Sequence, residues 1–155
     1  MSLYNKYILP NLIISWCNKK PQMKQRKKII PFAEGKVLEV GIGSGLNLPF
    51  YNPNKVSELV GIDPSLELWN KRQPIQDLGF HYEFIEAVAE DMPFEKYTFD
   101  TIVITYTLCS IPDFQSALES LIKVLKPSGK FLFCEHGKAP DKRVLFTQNI
   151  INPVW

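Results

Sequence analysis

The chain has 155 residues, 45% of them hydrophobic, and a formal net charge of +2 at pH 7. This length and apolar content predict a single domain, residues 1–155, with one core, and the small charge gives no nucleic-acid footprint. The three cysteines lack Cys-x-x-Cys spacing and the two histidines lie far apart in sequence. We therefore expect no disulfide framework, no bound metal and a reducing, cytoplasmic environment.

The amino-terminal region, residues 1–33, combines an apolar patch with a basic cluster. The patch is interrupted by Pro10 and is too short to span a bilayer, and its residues are Ile8, Leu9, Leu12, Ile13, Ile14 and Trp16. The basic cluster follows and consists of Lys19, Lys20, Lys24, Arg26, Lys27 and Lys28. An interfacial helix with a basic flank is one interpretation of this pattern.

A glycine-rich loop follows the first predicted strand, Val37–Val40. Gly41, Gly43 and Gly45 stand at alternate positions, so the backbone can turn sharply and approach a ligand without a Cβ in the way. A helix is predicted to begin directly after them, with its free N–H groups facing a polar ligand. The dinucleotide fingerprint Gly-x-Gly-x-x-Gly requires its third glycine at Leu46, so this loop departs from that pattern.

The second predicted strand, Leu59–Ile62, ends at Asp63, roughly twenty residues after the glycine loop. Nucleotide-binding folds place a carboxylate there to accept hydrogen bonds from both ribose hydroxyls. The alternative is that Asp63 only caps the next helix. Because the glycine loop is also present, ribose binding is the favoured interpretation of Asp63. Pro74 should shorten or kink the helix that follows.

Further strands are predicted at Tyr82–Ile85, Thr101–Thr105 and Lys130–Cys134. A helix with Asp113 as its N-cap precedes the last of them, and its periodic apolar residues are Phe114, Ala117, Leu118, Leu121, Ile122 and Leu125. Strands that alternate with helices predict an α/β fold, a parallel sheet wound on both faces. One more helix is expected at Asp141–Ile151.

Several segments together resemble the class I S-adenosyl-L-methionine (SAM) methyltransferases. They are the acid-x-Gly-x-Gly-x-Gly loop from Glu39, the Ala-Glu-Asp-Met-Pro-Phe loop 89–94 and the Leu-Lys-Pro-Ser-Gly turn 125–129. Segments 46–51, 108–110, 135–137 and 152–155 are similar to one branch, the small bacterial relatives of the methyltransferase-like seven thiol methyltransferases. The resemblance runs from about Tyr4 to Trp155. It implies a Rossmann-like sheet, SAM as cofactor, S-adenosyl-L-homocysteine as product and a small-molecule methyl acceptor.

The resemblance also implies a cofactor site at the carboxyl ends of the strands. Its expected residues are Glu39, Gly41, Gly43, Gly45, Asn47, Asp63, Pro64, Ala89, Glu90, Asp91, Thr105, Tyr106 and Cys109. In this class an Asp most often precedes the Ala of the third-strand loop, but this chain has Val88 there. Glu90 is therefore the first choice as the acceptor of the adenine amino group, and Asp91 is the second. The alternative for either residue is that it is simply a solvated loop acid.

His136, at the end of the fifth strand, is the expected base or substrate-positioning group. The alternative is a buried, hydrogen-bonded histidine that closes the strand. A thiol acceptor would have to react as its thiolate, held in line with the sulfonium. Tyr106 and Cys109 are expected to line the methionine end of the site. Cys109 is more simply a packing residue than a nucleophile, because methyl transfer needs no covalent enzyme intermediate.

In class I methyltransferases the helices before the first strand usually cover the cofactor. Residues 1–33 are therefore predicted to be a helical cap on a core at residues 36–155, and membrane association is the less favoured interpretation. Members of this class normally carry two more strands after the fifth. Because only residues 138–155 follow Gly137, the resemblance implies that the last two strands are lacking. The fifth strand would then be an open edge through which chains could self-associate.

Three functions remain open at this point. The first is an active methyltransferase on a small, apolar or thiol-bearing acceptor, and the second is a module that binds SAM or its product without turnover. The third is a nicotinamide-dependent oxidoreductase on a similar sheet. The glycine spacing and the loop at residues 89–94 weigh against the third function.

Overall fold

The computed structural model describes residues 9–74 and 77–137, which form two opening helices and a sheet with further helices. The helices are α1 (Leu9–Cys17), α2 (Lys20–Ile29), α3 (Leu66–Asn70) and α4 (Phe114–Val124). The strands are β1 (Gly35–Val40), β2 (Val56–Asp63), β3 (His81–Glu86), β4 (Phe99–Thr105) and β5 (Leu125–Cys134). The five predicted strands are confirmed, and each is somewhat longer than its apolar run.

The sheet has the strand order β3-β2-β1-β4-β5, and every neighbouring pair is parallel. The chain moves outward from β1 through β2 to β3 and then returns to the other side of β1 as β4. In doubly wound sheets, a reversal of this kind leaves a crevice at the carboxyl ends of the two central strands. The predicted doubly wound fold is confirmed, and the crevice between β1 and β4 is where a ligand is expected.

Alternate residues of the central strands build two separate hydrophobic clusters, one on each face of the sheet. Leu38, Val60 and Ile102 pack on the face that α4 covers through Ala117, Leu121 and Val124. Val37, Leu59 and Val103 point to the opposite face, together with Ile30, Tyr51 and Trp69. Because the central strands are buried on both faces, they read as continuous apolar runs in the sequence.

The helix predicted directly after the glycine loop is wrong. Residues 43–47 form successive turns, followed only by a short 3-10 segment, Leu48–Phe50. Gly45 has a φ of +71°, outside the helical region, and Pro49 has no N–H to donate. Asn47 is fully buried and its amide bonds to other side chains, so the segment is held by tertiary contacts.

The two other helix predictions are confirmed in their main points. The helix α3 ends at Asn70, before Pro74, and Ser65 is its N-cap through a 3.2 Å hydrogen bond from the Leu68 N–H. Asp113 caps α4 by accepting the Ser116 N–H at 3.1 Å. The helix predicted at residues 141–151, the motif at 152–155 and the end of the predicted domain lie outside the described residues.

Candidate cofactor site

A cavity of about 670 Å³ opens at the carboxyl ends of β1, β2 and β4. Ligand pockets in proteins commonly have volumes of about 300–1,000 Å³, so the cavity is large enough for a nucleoside-sized molecule. The first helix forms one wall, with Ile13, Ile14 and Cys17. The other walls come from residues 40–44, 62–65, 87–90, 105–107 and 110–112, with Arg26, Leu46 and Leu68.

The three glycines of the loop are needed for different structural reasons. Gly41 has a φ of +72°, and a Cβ added there would overlap the Thr107 side chain. A Cβ at Gly45 would come 2.6 Å from Leu48. At Gly43, where φ is +52°, the nearest atom to an added Cβ is Asp63 Oδ2 at 3.9 Å. Gly41 and Gly45 are therefore required by packing within the protein, whereas Gly43 leaves free space along the cavity wall.

Asp63 lies at the end of β2, nearly buried, with its carboxylate facing the glycine loop. Its Oδ2 accepts the Gly43 N–H at 3.0 Å and its Oδ1 accepts the Ser65 N–H at 2.8 Å. Burial raises the pKa of this carboxyl, and the two backbone hydrogen bonds oppose that rise. Each oxygen keeps a free lone pair, so the carboxylate can still accept hydrogen bonds from a ligand.

A buried polar network lies beneath the glycine loop and joins four parts of the chain. Asn47 donates to Glu39 Oε1 at 2.9 Å and to Thr105 Oγ1 at 3.0 Å, and Tyr51 donates to Glu39 Oε2 at 2.7 Å. Arg26 donates to Asn47 Oδ1 at 2.8 Å and to Thr105 Oγ1. Burial raises the pKa of Glu39 to about 7, against the lowering effects of the Tyr51 and Asn47 hydrogen bonds and of the Arg26 charge.

Arg26 connects this network to the cavity. It is only 5% exposed, lines the cavity and places its guanidinium 5.0 Å from the centre of the Tyr106 ring. Its Nε is buried and has no hydrogen-bond partner among the described residues. A buried donor without a partner is costly in a folded protein. Because Arg26 also lines the cavity, its guanidinium brings a positive charge to the cavity wall.

The end of β4 turns sharply at Tyr106. This residue has a φ of +57°, an unusual left-handed conformation for a residue with a side chain. Its N–H donates to the Cys134 carbonyl at 2.9 Å, and the Cys134 thiol donates to its hydroxyl at 3.4 Å. Burial is the main cause that raises the pKa of Tyr106. The His136 ring lies 4.7 Å from the Tyr106 ring.

Glu135 fixes the loop that follows this turn. Its Oε1 accepts the Thr107 N–H at 2.9 Å and the Leu108 N–H at 3.2 Å. The carboxylate thus satisfies the first N–H groups of the short 3-10 turn at Leu108–Ser110. The end of β5 therefore positions one wall of the cavity.

The structure separates the predicted site residues into three groups. The first group lines the cavity and consists of Gly41, Gly43, Asp63, Pro64, Ala89, Glu90, Thr105 and Tyr106. Thr105 also belongs to the buried network, which includes the second group, Glu39 and Asn47, and Gly45 packs against Leu48 nearby. The third group lies outside the cavity lining and consists of Asp91, Cys109 and His136. All three are exposed.

Sequence reasoning missed two contributions to the site. Arg26 was noted only as part of a basic cluster, although it differs from its neighbours in being the one arginine among lysines. Tyr51 belongs to segment 46–51, where no local pattern predicts a role for its side chain, and its hydroxyl donates to Glu39 Oε2. The helical period offered a signal for Arg26, because Lys20, Lys24 and Lys27 share one face of α2 and Arg26 falls on the other.

Comparison with known proteins identifies the family of this site. A family model described as a methyltransferase domain matches residues 38–133. Thiol S-methyltransferase TMT1B from Rattus norvegicus is 32% identical over 79% of this chain and 51% of its own length. TMT1B from Homo sapiens is 31% identical over 89% of this chain and 61% of its own length.

A solved structure has the same fold. The YcgJ protein from Bacillus subtilis superposes with a TM-score of 0.62 at 25% identity, covering 94% of this chain and 57% of the YcgJ chain. The chain spans about half to three fifths of the length of these relatives. Because the family model covers more than half of the sequence and the sheet is that of class I enzymes, the chain belongs to the methyltransferase-domain family, whose cofactor is S-adenosyl-L-methionine.

Proposed function

We propose that this chain forms the cofactor-binding core of a methyltransferase that acts on a small-molecule acceptor, with a thiol as the preferred class. One observation carries the proposal: a single cavity is lined by the open Gly43, by Asp63 with its buried carboxylate and by the cationic Arg26. Asp63 offers an acceptor to the ribose hydroxyls of SAM, Arg26 offers a positive charge to its carboxylate, and Gly43 leaves room for the ligand to approach.

Each of these residues would bind a different part of the cofactor. Asp63 would accept hydrogen bonds from the ribose hydroxyls, and the backbone at Gly43 gives the ligand room to approach. Glu90, on the wall formed by residues 87–90, would accept the adenine amino group. Arg26 would bind the carboxylate of the methionine end, because its positive charge complements an acid. Bound SAM supplies an electrophilic methyl group, so the protein mainly orients the reactants and excludes water.

The acceptor side of the cavity is mostly apolar. Ile13, Ile14 and Ile111 line it, together with the Cys17 thiol, whose pKa is raised mainly by burial. Such a wall suits an apolar acceptor whose reactive atom is a thiol. His136 would act from the rim, either as the base that removes the thiol proton or by holding the Tyr106 ring against which it lies. The thiol S-methyltransferase names of the relatives support this class of acceptor.

Calorimetric titration with SAM and with S-adenosyl-L-homocysteine tests the proposal, followed by a methyl-transfer screen over small thiols, amines and phenols. Asp63→Asn should weaken SAM binding at least about tenfold, since a hydrogen bond to a charged group contributes about 1.5–3 kcal/mol. Gly43→Val should abolish binding, because its branched side chain would occupy the free space.

Asp77→Asn is the matched control. Asp77 is exposed and also accepts a backbone N–H, from Gly79 at 2.9 Å, so the same chemical change is made outside the cavity. Unchanged SAM affinity in a folded Asp63→Asn protein would refute the ribose assignment. SAM binding without transfer to any acceptor would instead favour a binding module.

A further inference from the structure

The loop after β4 begins with a turn in an unfavourable backbone conformation. Tyr106 has a φ of +57°, a left-handed conformation that residues with side chains rarely adopt. Such conformations persist only where the surrounding structure holds them, and they cluster at active sites. Tyr106 and Thr107 both line the cavity, so this turn forms part of the cavity wall.

The end of β5 supplies the groups that hold the turn. The Cys134 carbonyl accepts the Tyr106 N–H at 2.9 Å. The next residue, Glu135, accepts the Thr107 N–H at 2.9 Å and the Leu108 N–H at 3.2 Å, both through Oε1. Three consecutive N–H groups of the loop are therefore bound by two consecutive residues of another strand end, and Glu135 is the one that does so through its side chain.

The turn also contacts the groups that are assigned to the cofactor. The Thr107 side chain occupies the space that a Cβ would need at Gly41, so the turn lies directly against the glycine loop. The Tyr106 ring lies 5.0 Å from the guanidinium of Arg26, which would bind the methionine carboxylate of SAM. The reactive methyl group is attached to the sulfonium of that same methionine. With SAM bound in this way, the wall at Tyr106 borders the place where the methyl group and the acceptor meet.

We infer that Glu135 is a positioning residue for methyl transfer, which fixes the cavity wall beside the reacting groups without contacting SAM itself. The inference rests on the proposed function, because the position of the methyl group follows from the role of Arg26. A misplacement of about 1 Å in a reacting geometry can lower a rate about a hundredfold. Loss of Glu135 should therefore slow transfer more than it weakens SAM binding, since Asp63 and Gly43 keep their places.

Glu135 does not have the position of a base that removes the acceptor proton. It is not among the described residues that line the cavity, and its Oε1 already accepts two N–H groups. A base must come within about 2.6–3.2 Å of the atom whose proton it removes, or reach it through one water molecule. Glu135 therefore acts on the reaction through the loop that it holds.

Two variants of Glu135 separate its hydrogen bonds from its charge. Glu135→Met keeps the length of the side chain and removes both acceptor oxygens, whereas Glu135→Gln keeps an oxygen that can accept the two N–H groups. Glu135→Met should lower kcat about tenfold to a hundredfold and leave SAM affinity, measured by calorimetry, within about twofold of wild type. Glu135→Gln should restore most of the rate. Transfer is measured with the acceptor that the screen identifies, and circular dichroism establishes that each variant is folded.

The matched control is Glu86→Met. Glu86 is exposed and is the last residue of β3, the strand at the other side of the sheet, so a carboxylate is removed from the same edge of the sheet away from the turn. This variant should keep the wild-type rate. Hydrogen exchange measured by NMR reports on the loop without any turnover, and the Thr107 and Leu108 amides should exchange faster in Glu135→Met than in Glu135→Gln.

An equal loss of rate in Glu135→Gln and Glu135→Met would overturn the inference, because the charge and not the hydrogen bonds would then be required. An unchanged rate in Glu135→Met, or a loss of SAM affinity as large as the loss of rate, would also overturn it. Failure of the proposed function looks different, since the wild-type protein would then methylate no acceptor in the screen. Hydrogen exchange decides the inference in that case, and equal exchange of the two amides in both variants would overturn it.

Discussion

Apolar side chains are buried at the centre of the sheet, whereas several are exposed on β5 and on the outer side of α4. These two surfaces are called the margin. In β1, Val37–Val40 are all buried, because a strand lies on each side and side chains cover both faces. In β5, Phe131 and Phe133 point to the face that α4 covers, yet Phe133 remains 60% exposed. The outer side of α4 is equally bare, with Phe114, Leu118 and Ile122 all exposed. The described residues thus complete the core under the glycine loop and leave the apolar margin uncovered.

The two regions also differ in how they contribute to the site. The central region supports the cavity through buried side chains that bond across long stretches of sequence, such as Arg26 to Thr105. The margin supports the cavity mainly through the end of β5, where Cys134 and Glu135 bond to the loop after β4. Damage to the centre should therefore affect SAM affinity, whereas changes at the margin should affect association between chains. Four predictions test this division.

The largest effect is expected from Arg26→Met. The change leaves Asn47 Oδ1 without its charged donor and Thr105 Oγ1 without one of its two donors, and each unsatisfied buried polar group commonly costs about 1–3 kcal/mol. Thermal unfolding should report the loss of stability, and calorimetry should report much weaker SAM binding. Arg26→Lys is the control, since it keeps the charge but lacks the second donor arm. A stable Arg26→Met protein with normal SAM affinity would contradict the central role of this network.

A pH-dependent stability is expected from Glu39. The folded protein keeps a proton on this carboxyl up to about pH 7, whereas the unfolded chain loses it near 4.5. Between these values the folded state binds more protons, so the free energy of unfolding falls as pH rises. At about 1.4 kcal/mol for each pKa unit, the contribution is about 3 kcal/mol.

Glu39→Gln should remove this fall, measured as the difference between wild-type and variant unfolding in urea from pH 4.5 to pH 7. Glu83→Gln, at an exposed position on β3, is the control and should keep the wild-type slope. An identical slope in wild type and Glu39→Gln would show that Glu39 is already ionised throughout this range.

The margin is expected to mediate self-association. Ile122→Lys combined with Phe133→Lys places two charges on the bare surface of α4 and β5 and should weaken association several-fold, without a change in SAM affinity. Sedimentation at increasing protein concentration measures the effect. The control pair is Phe32→Lys with Tyr97→Lys, two other exposed aromatics. Equal association in the two double variants would show that the margin does not mediate self-association.

The smallest effect is expected from variants of Glu90 and Asp91, the two candidates for the adenine acceptor. Glu90 lines the cavity and accepts the Asp113 N–H at 3.3 Å, whereas Asp91 is exposed beside a neighbouring shallow cleft. Glu90→Gln should weaken SAM binding modestly, about twofold to fivefold, because one acceptor oxygen is replaced by a donor. Asp91→Ala should be nearly silent. The reverse ranking in the same titration would assign the adenine acceptor to Asp91.

Much of the architecture was readable from neighbouring residues alone. The apolar runs predicted all five strands, Asp113 predicted the start of α4, and Pro74 predicted a short α3. Each of these depends on interactions within a few residues, namely side-chain periodicity, a cap, or the missing N–H of proline. The carboxyl ends of parallel strands share one edge of a sheet, so the region of the site followed as well.

The tertiary structure alone decided which side chains meet inside that region. Nothing near Arg26 indicates that it bonds to Thr105, 79 positions away, because that contact depends on how α2 packs against the sheet. The different roles of Gly41 and Gly43 likewise depend on Thr107, in the loop after β4, and on Asp63, at the end of β2. Within the glycine loop segment, Asn47 is held by hydrogen bonds to Glu39 and Thr105, which come from β1 and β4. Local sequence determines the strands and helices with their caps, and the strand register then determines which distant groups become partners.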